Sequence, residues 1–362
     1  MVLALVLGGI ALGAAVGCGG GNGSSDKPAG GSKNGPEVAA RGFLDRYVTS
    51  DGRVQRIDQG GDTVGEGQAY GMLIAAAVGD EQRFDLIWKW TKENLRRRDG
   101  LISFLWRDGR IQDPEAASDA DVDAARALLV AGCRFKRSDL RREALELGRA
   151  LMKVETASTQ AGPVLVAGPW ATKKPQTINP SYFSPATFAA LGSASGDGEW
   201  GSLSASSRSI SDKLIQGSSS PLPPDWAKLE GDKPVPTGPP DNQGATPQFS
   251  FDAVRTLVRL AEDPDPAGRE IAARAWPVFE GRKPSDIPVE HDLSGKPVGS
   301  TMHPVVLVAA AGAADAAGQT AARDRLLDAA ESLDKRSPTY YGAAWVALGR
   351  YMLTTEALNS CP

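Results

Sequence analysis

The sequence predicts an all-α fold, and three observations carry that prediction. Apolar residues recur at three- and four-residue spacing in one segment after another from about residue 65 to the C-terminus. A two-residue alternation with a turn signal occurs at only one place, Leu101 to Gln112, where Asp108-Gly109 suits a tight hairpin. The 41 glycines and 25 prolines gather largely between the periodic segments, as connections between helices require.

Taken in order, residues 1–17 are an apolar run too short to span a bilayer comfortably, and they end in small residues before Cys18. This reads as an export signal. AVGC resembles a lipobox, which would make Cys18 a lipidated N-terminus and the protein membrane-anchored; conventional cleavage and secretion is the alternative. Residues 18–36 are rich in glycine and serine, bury no apolar area and read as a tether, so the folded part is expected over 37–362. No second low-complexity linker follows, so one large domain is expected.

Tyr70, Leu73, Ile74, Ala77 and Val78 mark a first helix opening at Thr63–Met72 (TVGEGQAYGM); Phe84, Ile87 and Trp88 mark the next. Val122, Ala125, Leu129 and Cys133 share one face, as do Leu140, Ala144, Leu147, Leu151 and Val154, the latter with Ser138 as expected N-cap. Phe251, Val254 and Val258 continue the pattern. So do Val305, Val308 and Ala309; Leu326, Leu327 and Ala330; and Tyr341, Trp345, Leu348 and Met352. The stretches 157–182, 217–247 and 283–302 are long enough to build a binding surface.

A net charge of −4, from 40 basic and 44 acidic residues with no basic tract, argues against nucleic acid as a partner. The two histidines, His291 and His303, lack ligand-like spacing, so no metal site is expected. Cys133 and Cys361 are left to pair or stay free if Cys18 carries lipid.

Chemistry concentrates in carboxylates. Glu66 stands at a helix start between Gly65 and Gly67, which leave room for a ligand to approach it. ASDADVD supplies Asp119 as a helix cap, Asp121, and Asp123 one turn on. A calcium loop is excluded, since Ala124 and Val130 replace its required glycine and glutamate. Asp252 opens another helix with Arg255 three residues later on the same face.

VGEGQAYGM, ASDADVDAARALLVAGCRF, NPSYFSP (179–185), LPPDW (222–226) and FDAVR (251–255) resemble, in that order, the motifs of glycoside hydrolase family 8, the bacterial endoglucanases. Ala124, Gly65, Ala69 and Phe251 depart from the family pattern. The resemblance runs from about residue 38 to about 355. It implies an (α/α)6 barrel whose cleft takes a β-1,4-linked glucan, inversion of the anomeric centre, and no cofactor or metal. It also implies that Glu66 is the proton donor, Asp252 the base and Asp119 a cleaving-subsite acid, with Tyr182 and Arg255 holding the water and the base.

Inversion needs a protonated acid and an ionised base about 6.5–9.5 Å apart. Asp119 and desolvation by Tyr70 are expected to raise Glu66, and Arg255 to hold Asp252 ionised. Sugar faces stack on aromatic rings, so Trp106 is the first candidate platform and Tyr182 the second, with Tyr70 and Asp121 as further substrate contacts. Trp88, Trp276 and Trp345 belong to apolar helix faces; Trp170, Trp200 and Trp226 are open.

The resulting expectation is an exported, monomeric endo-β-1,4-glucanase acting on cellulose or a related β-glucan. Chitosanase, xylanase or lichenase activity on the same scaffold is the alternative, with Asp62, Asp113 and Glu115 as acids that would suit a cationic polymer. A silent glycan-binding lipoprotein is the alternative of another class.

Overall fold

Two kinds of helix alternate along the chain. The computed structural model describes residues 35–160 and 162–359. The predicted signal, the tether before Gly35, Cys18 and Cys361 therefore lie outside the described residues. Cys133 is disulfide-bonded.

One kind of helix forms an inner set, and all but α6 are buried along most of their length: α2 (Gly65–Val78), α4 (Ser118–Arg134), α6 (Pro185–Ser195), α8 (Val254–Ala261), α11 (Pro304–Ala316) and α13 (Tyr340–Thr354). In α11 every residue from Pro304 to Ala314 is buried, and in α2 every residue from Gly67 to Ala77. A helix apolar all round has to be enclosed. Each of these six touches the next, and α13 returns to α2, closing an inner ring.

The other kind is amphipathic. It comprises α1 (Pro36–Tyr47), α3 (Glu81–Asn94), α5 (Ser138–Val154), α7 (Glu199–Leu214), α9 (Pro266–Ala273), continued by α10 (Trp276–Phe279), and α12 (Thr320–Arg336). α5 buries only Leu140, Ala144, Leu147, Gly148 and Leu151, the stripe laid against α4 and α6. This is the (α/α)6 barrel, with outer helices running opposite to inner ones.

Direction follows from the alternation. The inner helices all begin at one end of the barrel, so outer helix α1 begins at the other. Its last residue, Tyr47, packs edge-on against Tyr340 at the start of α13, 6.1 Å between rings. The described chain thus enters the barrel, at Gly35, on the end away from the inner-helix N-termini.

The expected hairpin forms, as β2 (Ser103–Arg107) and β3 (Arg110–Ala116). Asp108 and Gly109 both take positive φ, 53° and 77°, the geometry a two-residue hairpin turn demands. β1 (Thr63–Val64) joins its edge, pairing Thr63 with Trp106. Short strands or loops were expected beside the barrel without further positions being assigned, and two more small sheets form: β4 (Thr156–Thr159) with β5 (Gly162–Leu165), and β6 (Gln176–Ile178) with β7 (Trp226–Glu230) and β8 (Lys233–Thr237). They occupy the stretches read as open loops; strand pairing is how a long connection against a barrel satisfies its backbone groups. α5 starts on Ser138 itself, after Arg137, so Ser138 is inside the helix rather than its cap.

Candidate active site

The inner-helix N-termini bring the predicted acids together. Glu66 lies in the first turn of α2, Asp119 in the first turn of α4, and Asp252 two residues ahead of α8. Arg255, in the first turn of α8, sits among them, fully buried. Its Nη1 donates to Glu66 Oε2 at 3.0 Å, to Asp119 Oδ2 at 2.8 Å and to the Tyr70 hydroxyl at 3.1 Å. Its Nη2 donates to Asp252 Oδ1 at 2.6 Å. One guanidinium thus serves three carboxyls that are far apart in sequence.

Exposure separates their roles. The side chains of Glu66 and Asp252 are each 22% accessible, whereas that of Asp119 is 3% accessible. Glu66 and Asp252 therefore face the open end from the two terminal nitrogens of one guanidinium, a span with its hydrogen bonds of at most roughly 8 Å. That bound admits a water between them.

Burial pushes Asp119 up to about 8, against the pull of Arg255 and with Glu66 adding to the rise. Asp119 therefore holds a proton more readily than an ordinary aspartate. Burial also raises Asp252, although Arg255, Asn179 and Trp226 each favour its charged form. Arg255 thus acts on Asp252 in the expected sense, toward the charged form, and desolvation opposes it. Tyr70, Tyr182, Tyr340 and Tyr341 are all pushed above the usual phenol range by burial, so each stays protonated.

Several sequence expectations are displaced by detail. Asp119 does not cap α4, whose N-cap is Ala117; its carboxylate is spent on Arg255 and on the N–H of Ala120. Gly65 and Gly67 do not make room for a ligand. A Cβ on Gly65 would sit 2.9 Å from both Ile102 Cγ2 and the Ser103 carbonyl oxygen, and one on Gly67 would sit 2.8 Å from the Tyr340 hydroxyl. Both glycines serve close packing of α2 on its neighbours. Tyr70 is fully buried below the acids, where it supports Arg255 and packs edge-on against Trp345, so it is out of reach of a polymer. Asp121 is likewise sealed off; it accepts the N–H of Ile102 at 3.0 Å, and burial raises it well above the usual carboxylate range.

Tyr182 reaches the site, with Arg255 over its ring at 5.1 Å and Trp226 edge-on at 6.1 Å. Trp106 lies on β2 opposite Thr63, half-buried, between the edge of Trp90 at 5.3 Å and Arg53 at 5.1 Å from its ring. Trp88, Trp276 and Trp345 are core residues, as are Trp200 and Trp226, while Trp170 is half-buried.

The family model for glycosyl hydrolases family 8 matches residues 36–355, nearly the whole described chain. The chain belongs to that family. A probable endoglucanase of Novacetimonas hansenii is 32% identical over 230 residues, 59% of this chain and 63% of that protein, so the match spans a little under two-thirds of the relative's length. An endoglucanase of Xanthomonas axonopodis pv. citri is 29% identical over 298 residues, 77% of this chain and 74% of its own. Among solved structures, an endo-β-1,4-glucanase from Acetobacter xylinum superposes with a TM-score of 0.74 at 26% identity, covering 88% of this chain and 98% of that one.

Family 8 membership accounts for residues that single-residue reasoning passed over. Asn179 and Asp225 lie inside the quoted motifs NPSYFSP and LPPDW, and both prove to border Asp252. Tyr340, whose hydroxyl is 3.5 Å from Glu66 Oε1, carries no local signal beyond its place at a helix start.

Proposed function

We propose that the chain hydrolyses internal β-1,4-glucosidic bonds of a soluble cellulosic glucan with inversion. The observation that carries this reading is the sharing of Arg255 by Glu66, Asp119 and Asp252, which holds two accessible carboxyls within reach of one guanidinium and over a buried third. Glu66 gives its proton to the glycosidic oxygen as that bond breaks. Water attacks the anomeric carbon from the opposite face and yields a proton to Asp252, leaving a hemiacetal of inverted configuration and a free hydroxyl on the departing chain. Both carboxyls then exchange protons with solvent. Arg255, held by Asp119, keeps a positive charge within the cluster while this happens. The endoglucanase names of the relatives support the substrate class.

A cationic polymer is a poorer match. Asp62, one of the acids a chitosan chain would seek, is fully buried and gives both oxygens to arginines: Arg56 at 2.7 and 2.9 Å and Arg107 at 2.6 Å.

The test is reducing-sugar release from carboxymethylcellulose, chitosan and xylan by wild type and Glu66→Gln, with anomer analysis of the first product. Release from the cellulosic polymer alone, lost in the variant, is the expected result. No release from any polymer would favour a glycan-binding protein. We also propose a monomer exported through residues 1–17 and anchored by lipid on Cys18; the mass of the mature N-terminus tests the anchor, and light scattering the monomer.

A further inference from the structure

The turn carrying Asp252 is held from outside by a carboxylate to which the proposed mechanism gives no part. Asp225 Oδ1 accepts the backbone N–H of Ser250 at 3.0 Å, of Asp252 at 3.2 Å and of Ala253 at 2.7 Å, and Oδ2 accepts the Ser250 hydroxyl. The N–H of Asp225 donates to the Gln248 carbonyl at 2.8 Å, tying the two strands of chain together in both directions. From the opposite side, the Tyr341 hydroxyl donates to the Phe251 carbonyl at 2.7 Å. Every residue from 250 to 253 is therefore fixed by a group from elsewhere in the fold. The next residue along, Trp226, favours the charged form of Asp252.

We propose that Asp225 is a positioning residue for the reaction, clamping the 250–253 turn so that the Asp252 carboxylate stays aimed at the attacking water. The inference rests on Asp252 being the base. A base must be placed to within a fraction of an ångström, and misplacement by about 1 Å costs roughly 10²-fold in rate. The short α8 offers little stiffness of its own ahead of Val254, so the clamp supplies it. Burial, with the charge of Asp252 adding, pushes Asp225 up to about 7, which ties its titration to that of the base. A purely structural cap on α8 would show none of this in turnover by folded molecules.

Two substitutions separate geometry from charge. Asp225→Ala removes the clamp. Asp225→Asn keeps an amide oxygen for the three N–H donors and lets the Ser250 hydroxyl accept from the amide, but removes a charge beside Asp252. The other charged or titratable groups facing Asp252 are Arg255 on its own side, Glu66, Asp119, Tyr182 and Tyr341.

The experiment measures kcat and KM on carboxymethylcellulose from pH 4 to 9 for wild type, both Asp225 variants and Asp252→Asn, with thermal melts to count folded protein. Asp225→Ala is expected to lose about 10²-fold in kcat with little change in KM. Asp225→Asn is expected to recover most of that rate, while its acidic limb moves down by about half a unit or more. Asp225→Ala turning over like wild type, with Asp252→Asn inactive, overturns the clamp and leaves the assignment of Asp252 standing. An active Asp252→Asn overturns both. Should Asp225→Ala fail to fold, Asp225→Glu decides: it keeps the charge but moves the carboxyl by one methylene, and a kcat equal to that of wild type overturns the proposal.

Discussion

Asp123 meets Arg259 in a doubly hydrogen-bonded ion pair, at 2.9 and 2.7 Å, with both side chains sealed from solvent. One turn closer to the cleft, Asp119 meets Arg255, and three residues further from it Arg126 meets Glu262 at 2.7 and 2.8 Å with the charges exchanged. All three pairs join α4 to α8 and its C-cap at a constant 136-residue offset, the mark of two parallel inner helices in register. Removing one partner of such a pair strands a buried charge, whereas apolar replacement of both need not cost anything. Asp123→Ala is therefore expected to destabilise by about 3–5 kcal/mol in urea unfolding. The double replacement Asp123→Leu with Arg259→Met is expected to recover most of that loss.

Arg255 performs a task that lysine cannot. Its two terminal nitrogens reach Asp252 on one side and Glu66 with Asp119 on the other. An ammonium is a single point of charge and cannot span the same three partners. Arg255→Lys is expected to fold and bind polymer yet lose on the order of 10²-fold in kcat. A variant with near wild-type kcat would show that the shared guanidinium is dispensable.

Gly65 is placed where α2 crosses the Ile102–Ser103 backbone, and one of its obstructing neighbours is a carbonyl oxygen that has no room to retreat. Gly65→Ala is expected to cost about 1–3 kcal/mol in stability through overpacking. Because Glu66 is the next residue, turnover should fall with it. Melting temperature and activity measured on the same preparation check both.

Acid sensitivity should trace to buried imidazoles. Burial lowers His303 and His291 to about 4, from an ordinary value near 6.5. Between those pH values the unfolded chain binds more protons than the folded one, so this stability is intact above about pH 6.5 and drains away as pH falls toward 4. For the well-buried His303 the shift corresponds to about 3 kcal/mol. Asp119 works in the opposite sense: raised to about 8, its stability is full below the ordinary aspartate range and is lost as pH climbs through 8. His303→Gln is expected to flatten the fall in melting temperature between about pH 6.5 and 4, and Asp119→Asn to remove an opposing slope that runs from the ordinary aspartate range up to about 8.

Helical spacing was legible in the sequence at α2 to α5, α8 and α11 to α13, whereas α1, α6, α7 and α9 showed no marked apolar face, and the split into inner and outer helices came only through the family resemblance. The convergence of Glu66, Asp119, Asp252 and Arg255 was legible through the ordered motifs, not through any local signal. What stayed hidden depends on contacts across the ring. Nothing near Gly67 announces Tyr340, and nothing near Asp225 announces the turn at Ser250. Tyr70 and Asp121 read as cleft residues because a helical face shows which residues are buried, but not how deep below the open end they lie. The sheets of β4 to β8 were read as loops because runs of three to five residues are too short for a two-residue period to stand out.

The opposed directions of α1 and the inner helices bear on how the molecule can be attached to a surface. Gly35 leaves the barrel on the side remote from Glu66 and Asp252, so grafting the protein onto a bead or a vesicle by its leading end turns the working face outward. A long polymer then approaches without meeting the support, and immobilised catalyst should cut it as fast as catalyst free in solution.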